Sequence, residues 1–458
     1  MSIVTQTHHS QQKIFQNHAN NFNSSDFVDL LSSDELAATI KVHVPLFREQ
    51  IYTPTQTLSM FIAQALNEDR SCSKAVIDMI IQNQSSTKIR KISPNTGAYC
   101  LARQKLPFPL LINLTTKIAE LVHQKSVKQW GWNGRPVRLI DGTTLTMPDT
   151  KENQSEFPQQ GSQKPGLGFP ICRLLAVSCL SSGVILNAAI SPFKGKGSDE
   201  QSLLRKVLHT FKHGDVVLGD AFFGTYFLLV EMIKRGVDIL FEQLGSRKLK
   251  TDFGTGIALG KKDHLTEIPK SKKKPDWMTQ EEFDVAPDKI VIREVKVGKK
   301  ILITTMLSAK KVPKKELKNL YKQRWHVEVD FRNIKTTLGM NILSCKTPDM
   351  CRKEIWVYFL ANNLLRLLMA QAAFEYHLQP RQLSFKHTIQ IWNTYYLLGK
   401  HLDEEMFSLI AKRIVGNRPG RIEPRAIKRR PKPYKLLMIP RSEARQEIMK
   451  NGHPKKIK

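Results

Sequence analysis

An α/β fold built on a mixed sheet, with a β-rich insertion and helical regions at both ends, is predicted by three features of this 458-residue sequence. The first is a β-β-β-α-β-α-β alternation of patterns from Gly131 to Glu242, the order of an α/β domain. The second is a break in that order from Gly245 to Lys299, where glycine and lysine clusters precede the strand-like stretch Lys289–Val297. The third is apolar spacing of helical period before Trp130 and again beyond Pro313. Apolar residues make up 41% of the chain, enough for a packed core, and the length allows two to four domains.

Residues 1–28 are rich in Gln, His, Asn and Ser, a composition that buries little and is expected to be loose. A helical region is expected over 29–130. Ser32–Ser33–Asp34–Glu35 and Ser93–Pro94–Asn95–Thr96 read as helix starts. Lys88, Arg90, Lys91, Arg103 and Lys105 bracket the second start, so this region could lie along a polyanion, although its apolar positions read as ordinary core. The β pattern opens with Val137–Leu145, VRLIDGTTL, which holds one carboxylate in an apolar run. Ile171–Leu180 and Val184–Ser191, joined by Ser181–Ser182–Gly183, form a predicted hairpin. A helix from about Asp199 to Lys212, a strand Val216–Leu218, a helix from about Gly224 to Arg235 and a strand Val237–Glu242 complete the order. Strand Ile301–Leu307 follows the insertion, and helices over about Pro348–His377 and Arg381–Leu398 pack behind. The expected divisions are therefore 131–347 for the α/β domain with its insertion at about 245–299, 348–411 for C-terminal helices, and 412–458 for a basic tail. That tail holds sixteen Lys or Arg against three Glu, which favours phosphate contact over an inert tail.

Lys plus Arg number 71 against 41 Asp plus Glu, a formal charge of +30. Such an excess favours a polyanion, because each neutralised phosphate releases counterions. A membrane surface is the rival polyanion. The longest apolar stretch, Ile355–Phe374, approaches spanning length but contains Asn362, Asn363 and Arg366, so a buried helix is expected and no membrane partner. The first residues show no apolar signal core. The six cysteines include no C-x-x-C pair, which fits reduced thiols in a cytosolic protein rather than zinc ligands or disulfides.

The run Tyr321–Met340, YKQRWHVEVDFRNIKTTLGM, is predicted to be helical, with Pro313 marking the start. At about 100° per residue, Tyr321, Arg324, Glu328 and Lys335 share an arc of roughly 60°. Leu320, Phe331, Ile334 and Leu338 line the neighbouring, core-facing arc. The edge thus carries one carboxylate, two cations and a phenol. A solvated face with a Glu328–Arg332 pair at i, i+4 would look the same. Asp141 inside its apolar run is costly unless paired or metal-bound; a buried ion pair would also satisfy it. Asp220 closes VVLGD beyond a strand end, where α/β sites collect, but a helix-capping Asp has the same setting.

The spacing Y-x2-R-x3-E-x6-K resembles the glutamate region of bacterial insertion-sequence transposases of the DDE type, in the insertion sequence four group. The continuation IKTTLGMNILSCKTPDMCRKEIWVYFLANNLLR, the contexts D-G-T at Asp141 and GDAFFGTYF at Asp220, NTGAYCLARQKLP and the tail segment from Asn417 to Arg445 are similar to the same group. The resemblance implies an RNase H-like catalytic domain with a β-rich insertion between its second Asp and its Glu. It implies Asp141, Asp220 and Glu328 as catalytic metal ligands, with Tyr321, Arg324 and Lys335 as DNA contacts that assist a hairpin step. Two divalent ions about 3.5–4 Å apart would activate the nucleophile and stabilise the leaving oxygen. Mg²⁺ is the expected ion, with Mn²⁺ as a substitute. The implied partners are double-stranded DNA, as element terminal inverted repeats and as target, and a second copy of the chain in a DNA-bound homodimer. Basicity alone would equally fit a silent DNA-binding descendant, and the acids alone a metal-dependent nuclease.

Other acids read differently. Asp149 and Asp215 sit in turn-like contexts, Asp199 and Glu200 at a helix start, and Asp330 about 200° around the helix from Glu328. Trp325 could stack on a base or serve a core or interface. Trp277 is the one Trp of the insertion and carries no assigned role.

Overall fold

The computed structural model describes residues 39, 41–44, 51–84, 92–398, 400, 402–415 and 437–454. The loose segment expected over 1–28, the helix start at Ser32–Glu35, the cations Lys88, Arg90 and Lys91, and much of the basic tail lie outside the described residues.

Helices α1 (Pro54–Leu66), α2 (Cys72–Gln84), α3 (Gly97–Lys105) and α4 (Phe108–Trp130) precede the sheet. Thr53 caps α1 by accepting from Gln56 N–H at 3.2 Å, and Pro54 opens it without wasting a donor. Arg103, expected at a basic surface, is instead buried, its guanidinium 4.8 Å from the Phe61 ring centre and 5.1 Å from that of Tyr99. Two aromatic faces draw the cation inward, and one helix turn cannot show that in sequence.

Strands β1 (Val137–Thr146), β2 (Ile171–Cys179) and β3 (Ile185–Pro192) form an antiparallel meander. Gly183 at φ +82° makes the turn between β2 and β3, a backbone position that suits glycine. After the short helix α5 (Glu200–Lys206), β4 (Val216–Gly219) pairs parallel to β1. Helix α6 (Tyr226–Lys234) then leads to β5 (Asp238–Glu242), parallel to β4. The order β3-β2-β1-β4-β5, antiparallel then parallel, is the mixed sheet that the sequence predicts.

The stretch expected to interrupt the domain continues its sheet. Strands β6 (Ile257–Gly260), β7 (Asp263–Pro269), β8 (Lys289–Val297) and β9 (Lys300–Thr304) extend it to nine strands in the order β3-β2-β1-β4-β5-β9-β8-β7-β6. Buried Arg293 donates from Nε and Nη2 to Asp263 at 2.8 and 2.6 Å, a two-pronged pair that fixes β8 against β7.

Beyond β9 come α7 (Lys314–Lys322), α8 (His326–Arg332), the long α9 (Pro348–Glu375) and α10 (Phe385–Leu397). Helix α9 is long and apolar enough to cross a membrane by length and composition, yet it is buried inside the protein. Its interrupting polar residues explain why it runs through the middle. Asn363 accepts from Ile185 N–H at 2.8 Å and donates to Ile185 O at 2.9 Å and Thr115 O at 3.1 Å, tying α9 to β3 and α4. Arg366 donates to Asp330 at 2.9 Å. All six cysteines are free thiols.

Candidate active site

Strand register sets the first two carboxylates. The parallel pairing of β1 with β4 ends at Leu139 opposite Leu218. Asp141 and Asp220 each stand two residues further on, so they lie side by side where neighbouring strands diverge, the place α/β folds gather ligands. Asp141 accepts a single hydrogen bond, from Gly142 N–H at 3.0 Å. Asp220 also caps the turn after it, accepting from Phe222 N–H at 2.9 Å. Capping and site geometry therefore coexist there.

The third acid comes from the helical run. That run is not one uniform helix: α7 gives way to a tight 3₁₀ turn at Gln323–Trp325, α8 follows, and Asn333–Thr337 widens into a π turn. Leu320, Phe331, Ile334 and Leu338 are buried as the spacing predicts. Glu328 and Lys335 line an open cleft of about 330 Å³ with Asp141, Gly142, Thr143, Phe331, Arg332 and Thr336. Glu328 does not pair with Arg332. Its Oε1 accepts from Arg324 Nη2 at 3.2 Å, the other neighbour one turn away, which leaves Arg332 on the cleft wall. Lys335 Nζ donates to Thr143 Oγ1 at 2.7 Å and Thr144 O at 2.9 Å. Burial lowers its pKa. Tyr321 is mostly buried, and its phenol is pushed up to about 12 chiefly by burial, against the nearby Arg324. Trp325 is 60% exposed, which excludes it from the core.

Asp141 feels the charges of both other acids. Burial pushes Asp141 up to about 6; the Gly142 N–H and Arg324 oppose it, and the charges of Asp220 and Glu328 add to it. Like charges brought together in a half-buried setting are strained until a cation joins them. Their hard oxygens suit a divalent ion. Among the described residues, however, no three Asp, Glu, His or Cys side chains stand close enough to hold one ion. Glu328 is turned onto Arg324 instead.

The other acids have partners or places of their own. Glu200 is the first residue of α5, and Asp199 caps that helix through Ser202 N–H at 3.0 Å, as helix-start residues do. The Glu200 carboxyl also fills the space above Gly142: a Cβ at 142 would stand 2.2 Å from its Cδ. Burial raises its pKa, and Asp141 and Asp220 add to the rise. Glu200 is thus a fourth acid beside the cleft. Asp215, expected in a turn, is a buried partner of Arg138 at 2.5 Å. Asp330 points away from Glu328, as the helical angle requires, and is clasped by Arg366 and by Arg381, whose two prongs lie 2.9 and 3.0 Å away. Asp149 pairs with Arg441 at 3.4 Å.

A sheet of this order, with two aspartates at adjacent strand ends and a glutamate on a following helix, has the layout that the sequence resemblance implies. Residues 132–364 match the family model for the transposase DDE domain, and the chain belongs to that family. Its relatives include the transposase InsG of insertion sequence element IS4 from Escherichia coli strain K12, 29% identical over 300 residues, 64% of this chain and 65% of that one. A putative transposase InsZ of the same strain is 28% identical over 106 residues, 23% of this chain and 34% of that one. The chain thus matches less than two thirds of either relative's length. A piggyBac transposase synaptic complex with hairpin DNA aligns with a TM-score of 0.42 and 10% identity over 86% of each chain. Transposases of the DDE family act on DNA and use a divalent metal.

Proposed function

We propose that this chain is a DDE transposase that cleaves DNA at the ends of its element and joins the freed 3′-OH ends to target DNA, using Mg²⁺ or Mn²⁺. The observation that carries this reading is the register of β1 and β4, which sets Asp141 beside Asp220, with Glu328 near enough to raise Asp141's pKa. These three would hold two ions. A bound divalent ion supplies an activated oxygen nucleophile and relief of charge at the leaving oxygen. The chain's own part is positioning. Arg324 presents a planar fork to a phosphate once Glu328 leaves it, and Lys335 presents a point charge one wall away. Tyr321, whose phenol stands close to Arg324, would steady that fork. The helical region before residue 131 would grip element ends, and two copies would pair on DNA.

The test is an end-cleavage and joining assay on DNA carrying the inverted repeats that flank the coding region. Nicking and joined product are expected with Mg²⁺ and not with chelator, and neither with Asp141→Ala or Glu328→Gln. Cleavage that survives both substitutions refutes the residue assignment. Cleavage without joining identifies a nuclease, and binding without cleavage a silent DNA-binding protein.

A further inference from the structure

The widened turn that carries Lys335 ends in an unusual way. Leu338 N–H reaches back five residues to Asn333 O at 2.9 Å, and Met340 N–H to Ile334 O at 3.2 Å. The chain then reverses at Gly339, φ +90°. A helix end of this kind leaves carbonyls without helical donors. One of them, Leu338 O, accepts from Arg70 Nη1 at 3.1 Å. Arg70 lies 268 positions earlier in the chain, in the loop between α1 and α2. Its guanidinium fills the notch left by the missing side chain of Gly339: a Cβ there would stand 1.2 Å from Nη1 and 2.1 Å from Cζ.

The loop that presents Arg70 is itself held. Gln64 Nε2 donates to Arg70 O at 2.7 Å, Asn393 Nδ2 to Leu66 O at 3.0 Å, and Ser71 N–H to Asp69 Oδ1 at 2.9 Å. The Tyr358 phenol on α9 lies close to the Arg70 side chain. On its other side the turn is gripped by β1. Lys335 Nζ bonds Thr143 and Thr144, Thr146 N–H donates to Asn341 O at 3.2 Å, and Leu343 N–H to Thr146 O at 2.9 Å. The turn is therefore clasped between the strand that bears Asp141 and an arginine from the N-terminal helical region. A cation at a helix C-terminus is favourable for the dipole and the bare carbonyls alike.

We infer that Arg70 is a positioning residue: through it the N-terminal helices hold the turn that sets Lys335, and so link that region to the cleft. This rests on the reading of the cleft as the catalytic site. The test compares wild type, Arg70→Ala, Arg70→Lys and Gly339→Ala in two measurements. Hydrogen exchange of the free protein reads the turn directly and needs no activity. Amides of residues 338–341 exchange about tenfold faster in Arg70→Ala and Gly339→Ala, with Arg70→Lys in between and the amides of β1 and β4 unchanged. End cleavage reads the consequence: kcat falls about tenfold in the same two variants at an unchanged KM for end DNA, and Arg70→Lys recovers part of it.

Unchanged exchange at 338–341 overturns the inference. So does altered exchange with wild-type kcat, which would leave Arg70 a cap with no bearing on the reaction. If Arg70→Ala fails to fold, Gly339→Ala decides by the same two readouts. A wild-type protein that never cuts end DNA defeats the proposed function, and the exchange experiment still answers whether the clasp exists.

Discussion

Replacing Asp141 by asparagine should make the metal-free protein more stable while abolishing cleavage. The Asp141 carboxyl rises from an ordinary 3.8 to about 6, mainly through burial and with Asp220 and Glu328 contributing. Between those values the folded chain binds more protons than the unfolded one, so this group's contribution to stability falls as pH rises and levels off above about 6. About two pH units at about 1.36 kcal/mol each give a penalty near 3 kcal/mol at pH 7.5, and about 1.5 kcal/mol at pH 5. Asparagine keeps the shape without the charge. Denaturant titrations in chelator should therefore show Asp141→Asn ahead of wild type by up to these amounts, with a gap that widens from pH 5 to pH 7.5. Millimolar Mg²⁺ should narrow the gap, since an ion that binds the native wild type alone stabilises it by mass action. An asparagine variant no more stable than wild type at pH 7.5, or a gap that does not change with pH, refutes the view of Asp141 as a strained carboxylate awaiting a cation.

Asp330→Asn leaves two arginines facing one neutral group in the interior, and a loss of about 3–5 kcal/mol is expected from denaturant midpoints. Gly142→Ala drives a methyl group into the Glu200 carboxyl; adding Glu200→Ala should recover stability, with a coupling of about 1 kcal/mol or more in the double-mutant cycle. His326 is lowered from 6.5 to about 4, by burial first and then by Arg381, against Asp330. The unfolded chain then binds the extra proton over that window, so stability rises with pH between about 4 and 6.5, and His326→Gln should flatten that part of the curve.

The strands around the cleft were legible because apolar runs of four to ten residues with a glycine turn admit few other readings, as in the hairpin closed by Gly183. The strand settings of Asp141 and Asp220 were legible for a related reason: the first interrupts a buried strand and the second ends one. Other features were not. Glu200 reaches the cleft only because Gly142 lacks a side chain, a fact of close approach rather than of spacing. Glu328 has an arginine one turn away on either side, and sequence alone could not choose Arg324 over Arg332. The clasp on Asp330 draws on Arg366 and Arg381, and the cap on Leu338 on Arg70; long-range partners of this kind leave no local pattern. The insertion was visible as a break, but its continuation of the sheet was not, since edge pairing depends on where β9 comes to lie.

That continuation has a bearing on solubility. Without β6 to β8, strand β9 would offer the open side of Ile301, Leu302 and Ile303 as a bare ladder of amides and carbonyls, ready to recruit a like strand from another molecule. With them, the margin of the sheet passes to β6, four residues long and irregular in its pairing near Gly260. Two lysines, Lys261 and Lys262, follow it directly. A short, kinked, cationic rim makes a poor template for runaway stacking. Trimming residues 245–299 to obtain a smaller catalytic domain would thus yield a chain that clumps before it could be assayed.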